Sequence, residues 1–390
     1  MGQQTYGRFM SHCGVFKMKR RHLIGSVALG AGSTAAIAAC GGQTASTNGS
    51  PTVQTDDAPT VQWRMASSYT PSLDTVYGGS EYFVERVSQL TDGRFEITLS
   101  AAGEIVPGLE VLDAVQQGTV QSGHTNSYYY RGKNEALAFD TAVPFGFNYR
   151  QQNAWLYEGG GLELIHELLS DFNIISFPGG STGTQMGGWW NREVNSPADL
   201  QGVNMRIPGL GGTVMERLGV NVQNLAGGEI FQALQLGTID AAEWVGPYDD
   251  EKLGLYQAAS IYYYPGWWEP ASQYSFYFNL DEWNKLPENY QNILKTAAAE
   301  THLNIMARYD ARNPGALRSL LDQGVELKRF PDEIMLAGRT AAFELYEELA
   351  AADATYNKIY TAWKEFREDS NRWFSTSELA FINFSSAQDS

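Results

Sequence analysis

The sequence predicts an α/β fold built on open, mostly parallel sheets with helix-covered faces. Its 390 residues, 43% hydrophobic and 13% aromatic, can bury a large core, and that length points to two or three domains. Short runs of apolar–polar alternation take turns with stretches of helical period, and the joints between them are brief and marked by Gly or Asp. Such a rhythm of strand and helix is what a largely parallel sheet requires. The 44 acidic against 27 basic residues, a net charge of −17, argue against nucleic-acid binding, which rests on neutralising phosphates with Lys and Arg.

Residues 61–66 alternate as a first strand, and residues 77–90 follow with helical period. Thr91-Asp92-Gly93 makes a turn into a second strand at 94–99, and a helix over 109–117 is closed by Gly118. A strand at 173–177, the region 185–190, helices at 211–218 and 230–236 and a strand at 275–278 continue the pattern. Beyond Pro287 the chain reads as helical over 288–309, 314–323 and 332–371. The last stretch carries no Pro or Gly after Gly338, so it is expected to brace two lobes or to reach another subunit.

The first 39 residues contain five basic side chains (Arg8, Lys17, Lys19, Arg20, Arg21) and no acidic one. The apolar stretch at 23–39 is 17 residues long and rich in Gly, Ser and Ala, short of the ~20 strongly apolar residues that cross a bilayer. A basic segment, a short apolar one and a small-residue processing site describe a secretory signal. Met18 offers a start for it, and Arg20-Arg21 a loose twin-arginine element beside the ordinary secretory route. Ile37-Ala38-Ala39-Cys40 resembles a bacterial lipobox, which makes Cys40 the candidate acylated first residue; residues 40–59, rich in Gly, Ser, Thr and Asn, then form a flexible tether. Cys13 is the only other cysteine and lies upstream, so a chain from residue 40 has no disulfide and no thiolate metal site. Removing the five charges leaves −17 − 5 = −22.

Catalytic signatures are sparse: there is no Walker A loop, no HExxH and no Gly-x-Ser-x-Gly elbow. Of three His beyond residue 39, His166 and His302 read as helical surface or partly buried residues, and His124 as a candidate pocket residue. Four other runs stand out. They are Gly183-Thr184-Gln185-Met186-Gly187-Gly188-Trp189-Trp190, Asn204-Met205-Arg206-Ile207-Pro208-Gly209, Asp240-Ala241-Ala242-Glu243-Trp244-Val245-Gly246-Pro247 and Tyr264-Pro265-Gly266-Trp267-Trp268-Glu269-Pro270. Together they resemble the substrate-binding subunits of tripartite ATP-independent periplasmic (TRAP) transporters, the DctP family, and within it the branch that binds 2-oxo and 2-hydroxy monocarboxylates with a metal ion. The resemblance runs from about Trp63 to the C-terminal helices.

The resemblance implies a two-lobe periplasmic binding protein with lobes joined by crossing strands and long C-terminal helices. Residues 60–182 and about 274–335 would form lobe I; residues 183–273 and about 336–390 would form lobe II. Arg206 matches the arginine that pairs with the ligand carboxylate, and a guanidinium fork suits that partner on physical grounds too. Gln185, Glu243 and the Trp244 carbonyl match cation ligands, with Glu269 as the fourth. Hard oxygen donors suit Ca²⁺ or Na⁺. Glu243, Glu269 and a ligand carboxylate total −3 against +1 from Arg206, so a divalent ion neutralises the cluster and Ca²⁺ is favoured over Na⁺. Asn126 and Tyr128 stand where the family places ligand-contacting groups, although Tyr128-Tyr129-Tyr130 also reads as strand packing; the loop Ser67-Ser68-Tyr69 is a similar candidate. Implied partners are a small monocarboxylate (pyruvate- or lactate-like), TRAP membrane subunits and a second copy of the chain in a homodimer, with a periplasmic location. Two other readings stay open: a metal-dependent lyase or aldolase acting on 2-oxo acids, which lacks an evident Lys or His base near these runs, and a sensory receptor subunit.

Overall fold

The computed structural model describes residues 59–389. The expected signal segment, Cys40 and all of the tether except Pro59 lie outside the described residues. The strands are β1 (Val61–Ser67), β2 (Phe95–Ser100), β3 (Ser122–Thr125), β4 (Ile174–Ser181), β5 (Trp189–Trp190), β6 (Asn204–Arg206), β7 (Asn221–Gln223), β8 (Ala241–Ala242), β9 (Ile261–Tyr264), β10 (Gln273–Asn279) and β11 (Glu326–Arg329). They form a five-stranded sheet, β2-β1-β3-β10-β4, and a six-stranded sheet, β11-β9-β5-β8-β6-β7.

Alternation decides the edge of the first sheet. Trp63 and Met65 of β1 and Phe95 and Ile97 of β2 point inward, with Trp63 and Phe95 edge to face at 5.0 Å. β10 has neighbours on both sides and is buried along its whole length. Phe276 of β10 stacks at 4.0 Å on Phe83 of the helix Val76–Leu90, which fixes that helix to the sheet face.

Each sheet is mostly parallel, as expected, and is made mixed by a single reversed strand. β10 is antiparallel to β3 and β4, and β5 is antiparallel to β8 and β9. The reversals have one origin: β5 and β10 are the strands that enter a sheet straight from the other one. The chain leaves the first sheet after β4 and enters the second at β5, then returns between β9 and β10. The two crossing segments lie side by side, joined by Thr182 N–H to the Ser272 carbonyl (3.0 Å), Gln185 N–H to the Glu269 carbonyl (3.1 Å) and Gly266 N–H to the Gln185 carbonyl (2.9 Å).

The C-terminal half departs from the expected helix and lobe boundaries. The expected helices 288–309 and 314–323 are one helix, Glu288–Asp322, that runs through Pro314. An internal proline costs about 3 kcal/mol; here Ala297, Ala298 and Ile305 are buried before it and Ala316 and Leu320 after it, and this burial on both sides offsets the cost. β11 pairs with β9 in the second sheet, so the segment 274–335 does not stay within lobe I as expected. The single helix expected over 332–371 breaks at Asp353. That residue is extended and its carboxylate caps the Tyr356 N–H at 2.7 Å, which separates Asp332–Ala352 from Ala354–Thr376. These helices do not stay with the second sheet: Trp363 packs on Phe139 (5.6 Å), the Tyr346 hydroxyl donates to the Pro144 carbonyl (2.8 Å), and Arg217 pairs with Glu348. They thus brace both halves. Among the described residues no helix is long and apolar enough to cross a membrane.

Candidate functional site

Register builds the centre of the site. β6, β7 and β8 are parallel, and Arg206, the last residue of β6, stands beside Ala242, the last of β8. Glu243 and Trp244 therefore emerge next to Arg206 at the C-terminal ends of the parallel strands, the usual place for a ligand in an α/β sheet. The Glu243 N–H donates to the Arg206 carbonyl at 3.1 Å. From the other side the two crossing segments bring in Gln185 and Glu269, whose backbones are bonded to each other. The first sheet contributes Asn126, directly after β3, and Tyr128, in a 3-10 turn over Ser127–Tyr130 where strand packing was the other expectation.

The side chains meet in the interior. Arg206 is 1% exposed, Glu243 0% and Glu269 3%. The Arg206 Nη1 donates to the Glu243 carbonyl (2.8 Å) and to its carboxylate Oε1, while Nε donates to the Leu225 carbonyl (3.0 Å). The guanidinium also lies 5.1 Å from the Trp244 ring. Gly227 makes room for that indole: a Cβ there would sit 2.5 Å from Trp244 Cη2. Glu269 Oε2 accepts from Gln185 Nε2 (2.8 Å) and from the Tyr128 hydroxyl (3.3 Å).

Several polar atoms here have no partner. Arg206 Nη2, Glu243 Oε2 and Gln185 Oε1 are buried and make no hydrogen bond, and among the described residues none is donated to the Trp244 carbonyl. Orphaned groups of this kind cost about 1–3 kcal/mol each, so a concentration of them marks a place prepared for something else. Two of the buried atoms are oxygens, on Gln185 and Glu243, with the unbonded Trp244 carbonyl beside them; the other is a guanidinium N–H suited to a carboxylate. This oxygen set fits a hard cation. Among the described residues there is no cluster of three or more His, Cys, Asp or Glu that could hold a metal ion.

The electrostatics agree with that fit. Burial drives the Glu269 carboxyl up to about 7, against hydrogen bonding from Ser272 and the pull of Arg206. Burial and the neighbouring Glu269 push Glu243 up, while Arg206 opposes them. Burial works against the charge on Arg206, and Glu243 together with Tyr129, Tyr128 and Glu269 more than offsets it, so its pKa is raised. Two carboxyl groups share one guanidinium, which leaves the cluster short of positive charge.

Asn126 is hydrogen-bonded through both of its amide atoms. Its Oδ1 accepts from the Tyr69 hydroxyl (2.6 Å), and its Nδ2 donates to the Gln273 carbonyl (2.8 Å) and Ser272 Oγ (3.4 Å). It positions Tyr69 and the start of β10. A cavity of about 10 Å³, the room a single water needs, lies among Tyr69, Asn126, Tyr128, Tyr129, Gln185 and Trp244. Ser272, Tyr274 and Leu225 border or bind the site without any sequence signal; Ser272 and Tyr274 were reachable only as the continuation of the Trp267-Trp268-Glu269-Pro270 run. His124 does not reach this cavity. It is buried beside β4, with Nδ1 on Ser80 Oγ (2.7 Å) and Nε2 on the Gly179 carbonyl (3.2 Å). His302, expected as a surface or partly buried helical residue, is helical and buried, taking the Gly180 N–H on Nδ1 (3.1 Å) and meeting Asn153 Oδ1 through Nε2 (2.9 Å).

Two mixed sheets joined by paired crossings, with a charged polar site at the crossing, define a two-lobed solute-binding protein. The chain belongs to the DctP family, bacterial extracellular solute-binding protein family 7, whose pattern matches residues 66–353. It is 52% identical over 370 residues, 95% of this chain and 100% of the relative, to a monocarboxylate 2-oxoacid-binding periplasmic protein of Nostoc sp.. Its fold matches a TRAP transporter solute-binding protein of Bordetella bronchiseptica, a dimer with copurified calcium and picolinate, at TM-score 0.84 and 47% identity over 85% of this chain and 98% of that one. A TRAP periplasmic solute-binding protein of Pseudoalteromonas atlantica with bound sodium and pyruvate matches at TM-score 0.81 and 37% identity, over 83% and 98% of the two chains. The family is one of extracytoplasmic solute-binding proteins for transport and not of enzymes, so the lyase or aldolase alternative falls.

Proposed function

We propose that this chain captures a small 2-oxo or 2-hydroxy monocarboxylate, pyruvate- or lactate-like, together with a hard cation, and delivers it to TRAP membrane subunits. The observation that supports the reading is the set of buried side-chain atoms without a hydrogen-bond partner, Gln185 Oε1, Glu243 Oε2 and Arg206 Nη2, on residues named by the sequence. Gln185 Oε1, Glu243, the Trp244 carbonyl and Glu269 would hold the cation, Ca²⁺ in preference to Na⁺ by charge balance. A bound cation supplies a fixed positive point for the carboxylate and the adjacent oxygen of the acid. Arg206 then offers Nη2 to the carboxylate and exchanges part of its bond with Glu243 for the ligand. Glu269 gives up the proton that burial lets it keep. Tyr128, released from Glu269, turns its hydroxyl toward the ligand oxygen, and Asn126 keeps Tyr69 in place.

The two sheets act as the cores of two lobes that part at the crossings, which is how an acid enters a cavity of about 10 Å³. Dimerisation through the C-terminal helices and a lipid anchor at Cys40 belong to the same proposal. The dimer seen in the Bordetella bronchiseptica relative supports dimerisation itself.

A thermal-shift series with pyruvate, lactate, 2-oxoisovalerate and succinate, each in Ca²⁺, Na⁺ or EDTA, tests the reading. A monocarboxylate at 100 times its Kd should add about 2.7 kcal/mol in Ca²⁺ and nothing in EDTA. A shift that survives EDTA, or no shift with any acid, overturns it.

A further inference from the structure

Among the described residues, three that are not glycine have a left-handed backbone. Asp92 and Asn173 are of types that tolerate it, whereas Phe145 (φ 55°) is not. A bulky residue stays in that region only where its surroundings fix it there. Phe145 lies between the helices Ala138–Thr141 and Tyr149–Glu158, and it is fixed from two sides. Its N–H donates to the Trp267 carbonyl (2.8 Å), and its ring stacks on the Trp267 indole at 5.0 Å, 17° from parallel. Its carbonyl accepts from Arg367 Nε (3.0 Å), and the Pro144 carbonyl accepts from the Tyr346 hydroxyl (2.8 Å), both donors being on the C-terminal helices.

The same indole touches those helices directly. A Cβ at Gly338 would sit 2.8 Å from Trp267 Cη2 and 2.9 Å from Cζ2, so the ring lies against bare helix backbone. Glycine is the least favourable residue after proline inside a helix, and the approach of the indole accounts for its place within Asp332–Ala352. Trp267 is buried and its indole N–H has no partner, so ring contacts and the bond to Phe145 make up its seat. Glu269 stands two residues further on, in a turn that is tightly tied. The Glu269 N–H donates to the Gly266 carbonyl (3.1 Å), the Gly266 N–H to the Gln185 carbonyl (2.9 Å), and the Gln185 N–H to the Glu269 carbonyl (3.1 Å). A displacement of Trp267 is therefore passed on to Glu269.

Resting on the function proposed above, we infer that Phe145 and Gly338 are positioning residues for the cation site. They build a slot for Trp267, and the slot fixes where the Glu269 carboxylate stands. The C-terminal helices, which carry Gly338, Tyr346 and Arg367, thereby set the affinity for the cation. Groups that orient the ligands of a metal are typically worth about 10- to 100-fold in metal affinity. Alanine at 338 must drive the indole from 2.8 Å out to an ordinary contact of 3.4 Å or more. That exceeds the ~0.5 Å within which a binding constellation has to be held.

Calorimetry with Ca²⁺ alone on the full chain tests this with Gly338→Ala and Phe145→Gly, each by itself and combined with Glu269→Gln. Glycine at 145 keeps the left-handed backbone without steric cost and removes only the ring. Each single variant should weaken Ca²⁺ binding at least tenfold. In the Glu269→Gln background the added loss should fall below threefold, because no carboxylate is left to misplace. Trp267→Phe trims the indole, so in its presence Gly338→Ala should also cost less than threefold. Either substitution decides the matter if the other fails to fold. Single variants that bind Ca²⁺ within threefold of wild type, or losses of equal size with and without the Glu269 carboxylate, overturn the positioning role and leave the proposed function standing. A wild-type protein that binds neither Ca²⁺ nor pyruvate in Ca²⁺ overturns the function and the positioning role together.

Discussion

Arg206→Met separates the two roles the site gives to charge. In the protein, the guanidinium is 1% exposed, donates through Nη1 to the backbone and carboxylate of Glu243 and through Nε to Leu225, and leaves Nη2 free. Methionine keeps most of the stem and removes every donor. Breaking a buried ion pair costs about 3–5 kcal/mol when the remaining charge is stranded. Glu243 is already pushed toward its protonated form by burial and Glu269, so it can neutralise, and the loss should fall near 3 kcal/mol. For roughly 330 residues at ~2.1 cal/mol/K each, that lowers Tm by about 4 °C.

The ligand arm is larger. A carboxylate held by two charge-assisted hydrogen bonds of ~1.5–3 kcal/mol each loses about 3–6 kcal/mol, which is 10²- to 10⁴-fold in Kd. Calcium alone behaves differently, because Arg206 repels the cation and competes for Glu243. Its affinity should hold or rise. Calorimetry reads both: Ca²⁺ into the protein without acid, then pyruvate into the protein saturated with Ca²⁺. Pyruvate within threefold of wild type would refute Arg206 as the carboxylate partner. Loss of calcium binding along with pyruvate would show that the arginine only maintains the fold of the site.

Glu269→Gln tests the charge count: the cluster of Glu243, a ligand carboxylate and Arg206 then totals −1, so the preference should move from Ca²⁺ toward Na⁺, and an unchanged ratio of the two affinities in calorimetry would reject Glu269 as a ligand. His302 is held neutral at about 4 by burial, with both ring nitrogens occupied. A lowered pKa gives stability that is complete above the unfolded value near 6.5 and is lost as pH falls toward 4. The stability gap between wild type and His302→Gln should therefore shrink by about 2 kcal/mol between pH 6.5 and 5.0 in urea titrations, and a constant gap would contradict the buried neutral ring. Asp74 ties the loop after β1 to Arg312 (3.2 Å) and the Tyr248 hydroxyl (3.0 Å) across the two halves. Its carboxylate is 44% exposed, so Asp74→Asn should cost at most about 1 kcal/mol, seen as up to fivefold weaker binding of every acid with their rank unchanged; a change of rank would mean that Asp74 shapes the pocket.

Much of the first sheet was legible because its first two strands obey simple alternation. Trp63, Met65, Phe95 and Ile97 point one way, and the intervening residues point out. β5 and β8 have two residues each and carry no periodic signal, yet they set the register that joins Arg206 to Glu243. The mixed pairing was illegible for a different reason: strand direction depends on which sheet the chain has just left. The break at Asp353 was readable in principle, since Asp is a strong helix cap, but the surrounding Ala-rich helical pattern masked it. Asn126 shows the limit on site reading. Its type and place suggested a ligand contact and it lines the small cavity of the site; that its amide also bonds Tyr69, Ser272 and Gln273 is a fact that only three-dimensional contacts reveal.

The position of the site explains why orphaned atoms are tolerated there. Gln185 and Glu269 sit on the two segments that must flex when the halves part, and Arg206 and Glu243 sit on the rigid ends of paired strands. A cation that bridges Gln185 and Glu269 to Glu243 and the Trp244 carbonyl would tie the flexible crossing to the rigid sheet. Closure would then be stabilised only when cation and acid are both present, since the acid supplies the negative charge that Arg206 and the cation need. Without them the same atoms remain buried and unpaired at a cost of about 1–3 kcal/mol each, a strain that favours opening. On the proposed function, the unpaired atoms would work as a ligand-dependent lock whose free energy sets how far the empty protein leans toward the open state.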